Sequence, residues 1–314
     1  MRRQIAAILA PLAATAALAG CSSSGPAPAT ANQSVRVSGK VGAEPNVKIP
    51  AEAASKDLVT RTLVHGHGAK LTGSDLYLAN FAVYRWRGSA SKLLISSFTS
   101  TPEVLPVTMG LSGLQKALEG QRVGSRVLAV LPPKYAYGPS GNSEIKVTAH
   151  DTMVWVVDLL HAFPANPTAS GKQVSGGGGS LPTVTVGTGG VPQVSVPKTA
   201  PPSKLVVKTL IKGTGAPVKA GQAIVVRYVG SIWRTGKEFN NDWPTATQPT
   251  APPNVFRLGQ LIPAWNTGLV GIPVGSRVML VVPPAQGYGA KGSPQAGIKG
   301  TDTLVFVVDI LATA

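Results

Sequence analysis

The side chains best suited to chemistry in this 314-residue sequence lie in residues 256–289. The stretch opens FRLGQLIPAW, in which Phe256, Leu258, Ile262 and Trp265 are large and apolar. Gly259 permits a tight turn among them, and Pro263 suits the first turn of a short helix. Residues 278–282 are wholly apolar and stop at Pro283-Pro284, so they read as a buried strand with a hard end. Tyr288 then stands between Gly287 and Gly289, one phenol on a flexible turn. Aromatic walls, turns and a single polar handle describe a concave apolar pocket for a small ligand.

What is missing narrows the chemistry. Cys21 is the only cysteine, so no disulfide forms within the chain and no thiol elsewhere can act. No carboxylate cluster with ligand spacing, phosphate-binding glycine loop or nucleophile elbow occurs. His65 and His67 form a His-x-His pair, but an internal repeat places Lys212 and Thr214 opposite them, so they read as turn residues. No metal and no cofactor is expected.

The elements around the pocket run from residue 204 to the end. They are an early strand ending VVRYVG with Tyr228, KEF with Phe239, LIPAW with Ile262 and Trp265, PPAQGYG with Tyr288, and a last strand TDTLVFVVDIL with Phe306. In that order they resemble the FKBP-type peptidyl-prolyl isomerases, the macrolide-binding immunophilins, over one whole domain. The resemblance implies an α+β fold, a curved antiparallel β-sheet wrapped around one short α-helix near residues 263–270, with the pocket between them. It also implies cis–trans isomerisation of X-Pro peptide bonds, with Tyr228, Phe239, Trp265, Tyr288 and Phe306 as the catalytic positions. Trp265 would floor the proline ring, and Tyr228, Phe239 and Phe306 would wall it. The Tyr288 hydroxyl and the Ile262 N–H would bond substrate carbonyls. Asn240 and Phe256 add substrate contacts, and Leu261 and Ile298 border the rim. The sequence departs from the family at Asn240, where an Asp is usual, at Asn254, where an aromatic is expected, and in a shortened loop around Gly259. The implied ligands are proline-containing exported polypeptides and macrolides such as tacrolimus or rapamycin.

Residues 50–163 look like a second, weaker copy of 203–314. Residues 58–68 match 205–215, Val123-Gly-Ser-Arg126 repeats as Val274-Gly-Ser-Arg277, and Tyr137 lies opposite Tyr288. Such self-similarity argues duplication of one folded unit, with a counterpart helix near 113–119. The pocket positions diverge. Tyr228 becomes Phe81, Phe239 becomes Leu94, Asn240 becomes Ile95, Phe256 becomes Val107, Trp265 becomes Leu114 and Phe306 becomes Trp155. The first copy therefore reads as degenerate.

Arg2, Arg3 and a short apolar run make residues 1–20 a targeting segment. Leu18-Ala19-Gly20-Cys21 looks like a bacterial lipobox, with Cys21 as the lipidated residue. The expectation is an exported protein, lipid-anchored to the outer face of the bacterial cell membrane. Composition makes 21–49 a flexible tether and 164–202 a Gly/Pro/Ser-rich linker, leaving the two domains to move nearly independently unless their faces pack. The formal charge is +16; residues 203–314 hold 11 Lys+Arg against 4 Asp+Glu. No aromatic-interleaved basic helix suggests nucleic acid, and a monomer is expected. Two function classes stay open: an envelope prolyl isomerase assisting folding of exported proteins, or a tethered chaperone or scaffold that holds proline-bearing segments with little turnover.

Overall fold

The computed structural model describes residues 30–107, 110–245 and 251–314. Residues 1–20 and Cys21 lie outside the described residues. A small hairpin, β1 (Arg36–Ser38) and β2 (Asn46–Lys48), comes first. Then follow β3 (Val59–Val64), β4 (Leu76–Arg87), β5 (Ala90–Ser96), β6 (Glu103–Pro106), α1 (Ser112–Leu118), β7 (Arg126–Leu131) and β8 (Thr152–Phe163). The sheet order is β3-β7-β8-β4-β5, with β6 also pairing β4, and every pairing is antiparallel.

The second half repeats this plan. A short β9 (Lys172–Gln173) precedes a hairpin of β10 (Thr183–Val186) and β11 (Pro192–Ser195). After it come β12 (Val206–Lys212), β13 (Ala223–Ile232), β14 (Glu238–Asn241), β15 (Asn254–Arg257), α2 (Pro263–Gly268), β16 (Arg277–Val282) and β17 (Leu304–Thr313). The order is β14-β13-β17-β16-β12-β9, with β15 pairing β13. Three irregularities in register recur at matching places. They fall at Thr62/Val64 and Thr209/Ile211, at Leu78/Ala79 and Val225/Val226, and at Val83/Tyr84 and Gly230/Ser231. Bulges bend the strand that carries them, which is how each sheet curls around its helix. Gly66 and Gly213 are the shared glycines of the early turn. A Cβ at either would lie about 2.2 Å from the carbonyl oxygen of Val123 or Val274, so the close backbone approach excludes any side chain.

Within the described residues, the segments read from composition as a flexible tether (21–49) and a linker (164–202) carry packed hairpins. Val35, Val37, Val47 and Ile49 pack with Leu128, Val130, Val154 and Val156 on the outer face of the first sheet. Leu181, Val184, Val194 and Val196 do the same on Met279, Val281, Val305 and Val307 of the second. This explains why β7 and β16 are buried at every residue instead of alternating. Helix covers one face and hairpin the other, and a two-sided cover calls for a continuous apolar strand.

Under each arm lies a buried ion pair. Arg126 grips Asp158 through two hydrogen bonds of 2.6 and 2.7 Å, and Arg277 grips Asp309 through two of 2.5 and 2.7 Å. The arms complete the hydrogen bonding. Arg126 donates to the Gly39 and Ala43 carbonyls, Gly42 N–H donates to Asp158, Arg277 donates to the Gly190 carbonyl, and Ala169 N–H donates to Asp309. A buried pair is tolerable only when its remaining donors and acceptors are satisfied in this way.

The two units also touch. Leu76, Leu78, Val104 and Phe163 of the first pack with Val225, Leu311 and Ala312 of the second. Arg257 donates to the Ser100 carbonyl at 3.0 Å across the same seam. Free motion of one unit against the other would expose this cluster.

Candidate functional site

A cavity of about 230 Å³ opens between α2 and the inner face of the second sheet. Its lining brings together Tyr228, Phe239, Asn240, Phe256, Leu261, Ile262, Trp265, Tyr288 and Phe306, which lie far apart in sequence. Trp265 is 4% exposed, on the third residue of α2. Pro263 begins that helix and Ile262 caps it. The Asn266 side chain ties the preceding loop to the helix, accepting from Gly259 N–H at 2.7 Å and donating to the Leu261 carbonyl at 2.8 Å.

The rings form a cage. Tyr228, Phe256 and Phe306 each meet Trp265 edge to face, with centroids at 5.2, 5.9 and 5.5 Å and interplanar angles of 85–88°. Phe239 stands on Phe306 at 5.6 Å and 88°. Edge-to-face geometry is the favoured one for aromatic quadrupoles, so the rings hold one another in place. The Tyr228 hydroxyl is pushed up to about 12, first by burial and then by the nearby Asp242 charge. Tyr288 stands at the mouth, 42% exposed, its hydroxyl also pushed up by burial. These phenols stay protonated and can donate. Among the described residues the Ile262 N–H makes no hydrogen bond.

Ile298 differs from the expectation. It is 2% exposed in the core, with its backbone paired to Ser293, and Ala296 stands at the cavity instead. The cause is Gly297, whose left-handed φ of +70° reverses the chain between the two.

Several residues of the site were not legible in the sequence. Gly230 lies beneath Phe239, and a Cβ there would meet the ring at 2.5 Å. The internal repeat carried the signal, since Val83 faces Ile95 where Gly230 faces Asn240, and the neighbouring Leu94 is smaller than Phe239. Asp242 joins three strands. It accepts from Tyr228 N–H at 2.7 Å and from the Asn254 amide at 2.8 Å. The buried Arg227 donates to the carbonyls of Asp242 at 2.6 Å and Ala251 at 2.8 Å. Burial pushes the Asp242 carboxyl up to about 6, against the pull of those donors and of Arg227. This explains Asn254, whose amide serves Asp242 where an aromatic was expected.

The first unit is built differently. Leu114 is fully buried at the position of Trp265, and Trp155 tilts against Phe81 at 5.5 Å and 41°. The register corrects one pairing. Ile224 faces Phe256, and Tyr77 faces Leu105, so Leu105 and not Val107 is the counterpart of Phe256.

The family model for FKBP-type peptidyl-prolyl cis-trans isomerases matches residues 90–160 and 215–311, one segment in each unit. The chain belongs to the FKBP-type peptidyl-prolyl cis-trans isomerase family. It is 37% identical over 123 residues to an FK506-binding protein of Streptomyces anulatus, covering 38% of this chain and 95% of that one. A probable FK506-binding protein of Corynebacterium glutamicum is 36% identical over 123 residues, 38% of this chain and 97% of that one. The FKBP-type peptidyl-prolyl cis-trans isomerase FkpA of Escherichia coli K12 is 39% identical over 107 residues, 34% of this chain and 37% of that one. As an FKBP-type isomerase, the chain acts on the bond preceding proline.

Proposed function

We propose that prolyl isomerisation is carried by the second unit alone, in the cavity over Trp265, and that each unit is an α+β domain with one short helix. An X-Pro bond resists rotation because amide resonance gives it partial double-bond character, with a barrier of roughly 20 kcal/mol. The twisted transition state loses that resonance and much of the charge separation. An apolar aromatic cage therefore suits it better than the planar ground state, and differential binding of this kind lowers the barrier. Each ~1.4 kcal/mol gained gives about tenfold in rate. In this reading the proline ring rests on Trp265 between Tyr228, Phe239 and Phe306. Phe256, Leu261 and Asn240 hold the flanking residues, and Ile262 N–H and the Tyr288 hydroxyl bond substrate carbonyls. No nucleophile or cofactor takes part.

The observation that carries this reading is the edge-to-face cage on Trp265, against a buried leucine at Leu114 in the other copy. The test is to compare turnover of one prolyl peptide by residues 30–163 and 164–314, after circular dichroism confirms that both fold. Activity confined to 164–314 supports the reading; equal turnover by 30–163 sinks it. A folded but inactive 164–314 favours the second reading, a scaffold that binds proline-bearing segments without turnover, for which the uncharged Asn240 speaks. The same cavity would take tacrolimus- or rapamycin-type macrolides.

The proposal extends to location. Residues 1–20 would direct export and Cys21 would carry lipid, leaving a monomer on the outer face of the membrane to assist exported proteins. Cys21→Ala should release the protein from the membrane fraction or block its processing; unchanged retention and mass would refute the anchor.

A further inference from the structure

The first unit keeps a feature that the second lacks. Its β5 is seven residues long, against four for the matching β14. It is also an edge strand, bonded on one side to β4, and among the described residues no backbone hydrogen bond reaches it from the other side. Leu93 is 40% exposed and Ile95 37% exposed, with Leu94 half-buried between them. An apolar edge is a template for another strand. A bulge at Leu94 bends β5, so Ile95 lies opposite Val83 on the inner face and Leu93 opposite Tyr84 on the outer face, and among the described residues the outer backbone edge has no strand partner.

The charge beside the edge says what kind of strand fits. Lys92 pairs directly across the hairpin with Arg85, so two cations share one face. Like charges placed opposite each other repel. Arg85 spends one donor on the Lys146 carbonyl, and no carboxylate meets either side chain among the described residues. A second copy pairing through the same edge would bring two more cations onto this face. A strand with an acidic residue at that point would neutralise it.

We propose that β5 is a docking site for an extended, apolar polypeptide segment flanked by an acidic residue, which joins the first sheet by strand addition. The backbone groups of β5 supply affinity, Leu93 and Ile95 supply apolar contact, and Lys92 with Arg85 selects the acidic flank. The site needs no proline and stands apart from the Trp265 cavity, so it does not depend on the assignment of that cavity.

The experiment uses the full chain and a proline-free probe, the fluorescein-labelled peptide Asp-Val-Thr-Val-Thr-Val, with Lys-Val-Thr-Val-Thr-Val as its charge-reversed partner. Anisotropy measures binding, and amide chemical shifts locate it. The acidic peptide should bind more tightly and shift residues 90–96. Leu93→Thr with Ile95→Thr keeps strand-forming residues at exposed positions and should weaken binding at least tenfold. Turnover of a short prolyl peptide should stay unchanged. Lys92→Glu should reverse the preference between the two peptides, which checks the site without touching its apolar residues. The proposal is overturned if neither peptide binds, or if the shifts map to the Trp265 cavity. It is equally overturned if sedimentation shows a wild-type dimer that the double variant dissolves, since the edge would then join two copies.

Discussion

Replacing Asp242 by Asn tests the strand-joining carboxylate quantitatively. The folded carboxyl is pushed up to about 6 from an ordinary value of 3.8. A folded value above the unfolded one means that the folded state binds more protons between them. Stability therefore falls as pH rises from about 4 to about 6, and the loss is complete by about pH 7. At ~1.4 kcal/mol per unit the loss approaches roughly 3 kcal/mol, or about 2 after allowing for the partial exposure of the group. Asn removes the charge but has only one acceptor oxygen for two donors, Tyr228 N–H and the Asn254 amide. Losing one bond costs about 1 kcal/mol unless the Asn254 amide turns over. The variant should gain about 1 kcal/mol at pH 7 and lose about 1 kcal/mol at pH 4. Asp302 does not confuse the window. Its carboxyl is held low by the Arg234 hydrogen bond, so its stabilising contribution is lost only below its ordinary 3.8, in the opposite direction. Urea midpoints of residues 164–314 at pH 4.5, 5.5 and 7 are the assay. A variant equally destabilised at all three would refute the reasoning.

Three further predictions follow from the same geometry. Gly230→Ala forces a methyl against the Phe239 ring, and overpacking of this kind costs about 1–3 kcal/mol. Turnover should fall about tenfold while circular dichroism keeps the β signal, and unchanged kinetics would mean that Phe239 does not wall the site. Asn240→Asp should raise activity or macrolide affinity, measured by kcat/KM and by calorimetry; no change would mean that the amide already serves. Residues 203–314 should be less stable than 164–314 by roughly 4 kcal/mol, because about 1 kcal/mol is lost for each half-buried Leu181, Val184, Val194 and Val196 removed. Equal urea midpoints would contradict the role of the arm.

The sequence and the structure meet where long-range pattern was strong. The duplication was visible because strands and turns recur in one order, and Pro263 with Trp265 marked α2 because proline starts helices well. Nine of the ten named pocket and rim positions line one cavity; the tenth, Ile298, turned inward because a single glycine reverses the chain before it. The hairpin arms were hidden. Their strands have three or four residues set among Gly, Pro and Ser, and such composition reads as linker until the sheet face beneath them is seen. Asp242 was hidden for another reason. Its partners Tyr228 and Asn254 lie on two different strands, and no spacing rule joins them.

The central claim is that Trp265, with its ring cage, makes the second unit the isomerase. Trp265→Leu in the full chain gives the second cavity the residue that the first unit already holds at Leu114. A protease-coupled prolyl peptide assay on that folded variant is the most direct measurement. The account predicts a loss of about a hundredfold in kcat/KM, equivalent to about 2.7 kcal/mol of transition-state stabilisation, with no residual turnover from the first unit. A folded variant that retains wild-type turnover would contradict it.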